Sequence, residues 1–115
     1  MLRGAVAKLR ADLEPDAWIQ TLFRLESACR VSREVGAWDL ASELAQQMKE
    51  YDPAYAGTHY ALARIAEQGG DFGTAREEYT AAIRAWTSAD PDFAGRTDAR
   101  RRLARLEKPP PERRK

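Results

Sequence analysis

The 115-residue chain contains one cysteine, Cys29, and one histidine, His59. A thiol beside an imidazole is the minimum for a nucleophile and its base, and the spacing of these two puts them on separate elements. Structural zinc takes four Cys or His ligands and catalytic zinc about three protein ligands, so this pair supports no metal site, and no cofactor is expected. Cys29 reads as a small buried side chain and His59 as a stand-in for a packing aromatic. There is no Gly-x-Ser-x-Gly elbow and no phosphate loop ending in Gly-Lys-Ser/Thr. The glycine-rich stretch from Gly69 to Gly73 has no strand before it and reads as a turn. The Glu77-Glu78 pair points from a helix surface toward different neighbours and reads as solvated. The chain reads as non-catalytic.

Its most informative chemistry is an arginine series. Arg30, Arg64 and Arg102 recur at intervals of 34 and 38 residues, Arg33 and Arg105 follow one helical turn after two of them, and Glu26, Tyr60 and Asp98 precede them by one turn. Guanidinium groups so placed would grip carboxylates with paired hydrogen bonds. Tyr60 and Phe23 would add apolar contact, although Phe23, like Trp18, reads first as core.

Composition bounds what can position these groups. The chain is 43% apolar and 32% charged, an ordinary globular balance for one domain, and it is long enough to form a core without disulfides or metal. A single unpaired cysteine fits a reducing compartment, and the cytoplasm is the expectation. No apolar run approaches the roughly 20 residues of a membrane helix. Arg3, Lys8 and Arg10 are scattered through the first segment, with Asp12 and Glu14 close behind, which reads as a first helix rather than a targeting sequence. Residues 1–90 hold 10 basic against 14 acidic side chains, and residues 91–115 hold 9 against 4, so the basic character is terminal.

Internal repetition organises the chain. Glu14-Pro15, Asp52-Pro53 and Asp90-Pro91 set an acid before proline at equal intervals of 38 residues, and Asp-Pro-Ala-Tyr-Ala-Gly at 52–57 parallels Asp-Pro-Asp-Phe-Ala-Gly at 90–95. Gly36 and Gly70, Trp38 and Phe72, Ala41 and Ala75 are each 34 apart. The two periods agree if individual helices are extended by four residues, about one turn. Asp52 and Asp90 read as N-caps with Pro53 and Pro91 at the first helical position; Gly69-Gly70 ends a helix and Asp71 caps the next. Apolar residues then follow a 3.6-residue period, with Phe72 and Trp86 among the core positions. Six helices are predicted, over 2–13, 16–34, 38–51, 54–68, 72–88 and 92–107, and the Pro/Arg-rich tail 108–115 is expected to be disordered.

These residues resemble the tetratricopeptide repeat family, built from helical hairpins of about 34 residues. Leu62-Ala63, Gly70-Asp71-Phe72, Ala75, Tyr79, Ala82 and Ile83 fit one repeat, with His59 and Ala66 standing where the family favours aromatics. Leu25, Ala28, Cys29, Gly36, Trp38, Ala41, Met48 and Pro53 fit a more degenerate repeat before it, in which Ser32 and Ala45 replace aromatics. The resemblance implies an all-α, right-handed helical-hairpin solenoid: a capping helix over 1–14, repeats over 15–52 and 53–90, and a second capping helix over 91–107. It implies a concave face presenting Glu26, Arg30, Arg33, Tyr60, Arg64, Arg102 and Arg105, where such repeats hold an extended peptide or a helix of a partner protein. The arginines favour an acidic partner. The Lys and Asn set of the family's chaperone-tail binders is missing. Self-association, membership of a longer array, and nucleic-acid contact through the basic C-terminal end are the alternatives; no aromatic follows Phe93, so that end lacks a stacking platform for bases.

Overall fold

In the computed structural model, residues 15–86 and 94–107 are described. They form five helices and, among these residues, no strand: α1 (Pro15–Glu34), α2 (Trp38–Tyr51), α3 (Ala56–Gln68), α4 (Phe72–Ala85) and α5 (Ala94–Glu107). The predicted helix over 2–13, the Asp90-Pro91 start, the tail 108–115 and the side chain of Trp18 lie outside the described residues.

Each helix buries one stripe. Leu22, Leu25, Cys29 and Ser32 recur at helical spacing on α1; Ala41, Ala45, Met48 and Tyr51 do so on α2; Ala75, Tyr79, Ala82 and then Trp86 do so through α4 and its cap. α3 is wedged between two clusters. Ala61 joins Leu22, Cys29, Ala41, Met48 and Tyr51, while Ala56 and Ala63 join Tyr79, Trp86 and Ala99. Buried alanines at so many contacts let the helix backbones approach closely, and Tyr51, Tyr79, Leu22 and Met48 fill the space between. Consecutive helices pack on one another, and α1 also touches α3.

Two turns of the same design reverse the chain. At the end of α1, Gly36 has φ 82°, its N–H donates to the Arg33 carbonyl at 3.1 Å, and the Ala37 N–H donates to the Ser32 carbonyl at 2.8 Å. At the end of α3, Gly70 has φ 86°, its N–H donates to the Glu67 carbonyl at 3.1 Å, and the Asp71 N–H donates to the Ala66 carbonyl at 2.9 Å. Both are Schellman closures, which need a residue free to enter the left-handed region. Asp71 then caps α4 by accepting from the Thr74 N–H at 3.2 Å, and hydrogen bonding from Thr74, side chain first and backbone second, lowers its carboxyl pKa.

Four sequence expectations are corrected. Asp52 does not cap α3: it ends α2, its side chain accepts from the Ala54 N–H at 3.1 Å, and its carbonyl accepts from Tyr55 N–H and Thr58 Oγ1. Asp52-Pro53 therefore makes a turn, and α3 starts at Ala56 rather than 54. α4 ends at Ala85, not at 88, because Trp86 adopts extended backbone to place its indole in the second cluster. Phe72 is 48% exposed and Phe23 is 36% exposed, so neither is core; Phe23 instead lies 6.4 Å from the Tyr55 ring.

Candidate functional site

Helical spacing builds one surface from three helices. Glu26, Arg30 and Arg33 lie at i, i+4 and i+7 on α1; Tyr60, Arg64 and Glu67 do so on α3; Asp98, Arg102 and Arg105 do so on α5. Between them runs a groove of about 470 Å³ lined by Glu26, Arg30, Arg33, Glu34, Tyr60, Arg64, Asp98 and Arg102, with Trp86 and Gly95 completing its wall. That volume is within the range of ligand-binding clefts. Gly95 is needed for closeness, since a Cβ there would stand 3.0 Å from the Trp86 ring.

Tyr60 is the centre of the groove. Its hydroxyl donates to Asp98 and accepts from Arg64 Nη1 at 3.1 Å, and its ring packs at 5.6 Å from the Trp86 ring and 6.1 Å from the Tyr79 ring. Asp98 also accepts from Arg102 Nε and Arg101 Nη2, each at 2.8 Å. Burial pushes the Asp98 carboxyl upward, but the bonds from Tyr60, Arg102 and Arg101 outweigh it and hold its pKa at about 2. Burial, then the Asp98 bond, raises the Tyr60 pKa, so the phenol stays protonated. Behind this layer, Glu67 accepts from Tyr79 Oη at 2.6 Å, stands 3.5 Å from Arg102 Nη1 and pairs with Arg105 Nη2 at 3.8 Å.

The cations of the groove are unequal. Arg102 is neutralised by Asp98 and Glu67. Arg30 is 3.9 Å from Glu34 in an exposed pair that contributes little to stability. Arg33 and Arg64 differ: among the described residues neither has a carboxylate within 4 Å. Their guanidinium carbons lie 5.6 and 5.8 Å from the centre of the Tyr60 ring, a cation–π arrangement that holds both over one aromatic. Arg33 Nη1 donates to Cys29 Sγ at 3.4 Å, whereas Arg33 Nε and Trp86 Nε1 are buried with no hydrogen-bond partner among the described residues.

Six of the seven residues expected from the sequence meet in this groove: Glu26, Arg30, Arg33, Tyr60, Arg64 and Arg102. Arg105 does not line it; 57% exposed, it reaches Glu67 instead. Trp86 is a wall residue that the sequence presented only as a core filler, and no spacing signal distinguishes those roles. Glu26 is held by the Tyr55 hydroxyl at 2.7 Å.

The thiol and the imidazole have separate partners. Cys29 is fully buried and donates to the Ala41 carbonyl at 3.4 Å, and burial raises its pKa despite the opposing Arg33 charge. His59 Nδ1 lies 2.7 Å from Glu78 Oε1, both side chains being mostly buried, so Glu78 is a partner across helices rather than the solvated group the sequence suggested. No group of three or more His, Cys, Asp or Glu that could hold a metal ion occurs among the described residues, and no helix among them is long and apolar enough to cross a membrane. Comparison of the chain with protein-family models, curated proteins and solved structures finds no match.

Proposed function

We propose that this chain is a tetratricopeptide-like helical solenoid that acts without catalysis as a protein-interaction module, its groove holding a peptide or helix of a partner protein. The observation that carries this reading is the pair Arg33 and Arg64, two guanidinium groups lining the groove that have no carboxylate within 4 Å among the described residues. A charge left uncompensated at a preformed surface costs the free protein stability and is recovered when a complementary group arrives. The 34-residue interval between two closures of one design supports the repeat assignment, with units over 15–52 and 53–90 and α5 as the cap. Cytoplasmic location goes with this reading, on the single reduced thiol.

The test is capture of partners from source-cell lysate on immobilised protein, native against Arg33→Glu/Arg64→Glu, with circular dichroism to show that both are helical. Loss of a defined set of proteins by the variant is expected; equal recovery by both forms rejects the groove as the binding surface. Self-association is the second reading, favoured by Val31, Val35 and Leu40, which are exposed on either side of the first turn. Light scattering over a range of concentrations separates it, since a monomeric binder keeps a constant mass.

A further inference from the structure

A second hollow adjoins the groove. It encloses about 240 Å³ and is lined by Trp38, Phe72, Gln68, Glu67, Arg64 and Arg102. Arg64 and Arg102 line both hollows, so the two share a wall. Trp38 and Phe72 are the first residues of α2 and α4, each placed directly after a glycine closure, and this puts two aromatics on the same edge at the 34-residue interval. Nearly half of Phe72 is in water.

The two ends differ in charge. Among the described residues that line the second hollow the one carboxylate, Glu67, is occupied by Tyr79, Arg102 and Arg105, which leaves the aromatics as the groups still to be covered. In the first, Arg33 and Arg64 lie against Tyr60 with no carboxylate within 4 Å among the described residues, and Trp86, only 5% exposed, forms part of the wall. The walls of that hollow also carry Glu26, Glu34 and Asp98, which would repel a run of phosphates but leave room for a single anionic group between the guanidiniums.

Resting on the reading of the groove as a partner-binding surface, we infer that its ligand is an extended protein segment. An Asp or Glu side chain of that segment occupies the Arg33–Arg64 hollow, and a large apolar or aromatic side chain beside it covers Trp38 and Phe72. The carboxylate supplies a counter-charge to two guanidinium groups that have no carboxylate within 4 Å among the described residues, and the apolar side chain removes the Phe72 face from water.

A random peptide library displayed with a free N-terminus and a fused C-terminus, panned on the full chain, offers no C-terminal carboxylate, so any acid that is enriched is an Asp or Glu side chain. Enriched peptides are expected to combine an acidic residue with a neighbouring large apolar one. A synthetic copy of one should then bind about tenfold or more weakly to Arg33→Gln/Arg64→Gln, and likewise to Phe72→Ala, the loss typical of one charged hydrogen-bonding group or one anchor. Replacing the acid in the peptide by Gln should abolish the effect of the arginine variant, and replacing its apolar residue by Ala should abolish that of Phe72→Ala. These peptide-side changes keep the result independent of any folding defect in the variants. If the arginine variant weakens binding and Phe72→Ala does not, the aromatic half is wrong while the groove reading stands. If peptides are enriched but neither variant weakens them, or if none is enriched, both readings fall.

Discussion

Tyr60 on α3 and Asp98 on α5 are joined by a hydrogen bond across 38 residues of sequence, and this bond ties the last helix to the groove. The same phenol carries Arg64 and lies under Arg33, so one side chain sets both the position of α5 and the position of the two uncompensated cations. Interaction surface and helix packing are here one structure, which has consequences for stability as well as for binding.

Asp98 makes that link sensitive to acid. Its carboxyl is held at about 2 in the folded chain, below the usual value of 3.8, so its contribution is fully present above about pH 4 and disappears as pH falls through 2. The shift corresponds to roughly 2 kcal/mol at neutral pH. Urea midpoints measured from pH 6 to pH 2 should fall more steeply for the native chain than for Asp98→Asn, with the two converging near pH 2. Parallel curves would show that the carboxylate does not stabilise the fold.

Gly57 should tolerate no side chain. A Cβ there would run into Glu26 Oε2 and the Tyr55 ring, the two groups that hydrogen-bond across the α1–α3 contact. Both side chains would have to shift, which strains that bond. Gly57→Ala is expected to lose about 1–3 kcal/mol in equilibrium unfolding, as overpacked sites generally do, although alanine is the better helix former. An unchanged or raised midpoint would mean that the contact yields at no cost.

Gly36 and Gly70 should respond alike. Each stands at positive φ with nothing within 4 Å of the place a Cβ would take, so the cost of alanine is backbone strain alone, about 1–2 kcal/mol per site. The two turns share no residues, so the double substitution should cost close to the sum in denaturant melts. A markedly smaller sum would indicate that one turn rearranges.

How much of this was legible in the sequence depends on the interaction range. Gly36, Gly70 and Asp71 declared the turns because a left-handed residue and a capping carboxylate are local requirements. The periodic alanines and tyrosines declared helices because helical spacing is a property of the chain itself. The intervals of 34 and 38 brought Glu26, Arg30, Arg33, Tyr60, Arg64 and Arg102 together in phase, and the fold brings them to one groove. Asp52-Pro53 misled for the converse reason: an acid before proline suits a turn as well as an N-cap, and Thr58 and Tyr55 bind the Asp52 carbonyl so that the turn wins.

Sequence by itself determined that these residues form helices, where two of the turns fall and which arginines recur in phase. Only the tertiary structure decided which arginines are neutralised. Arg33, Glu67 and Arg105 occupy equivalent places on α1, α3 and α5, yet Glu67 draws Arg102 and Arg105 to itself and leaves Arg33 to a thiol and an aromatic face. Likewise Phe72, in register with the core pattern, is turned into water beside Arg64 and Arg102, while Trp86 leaves the helix to reach the groove wall. Charge pairing and side-chain exposure depend on groups dozens of residues apart arriving within a few ångströms, and that distance is set by how the helices pack.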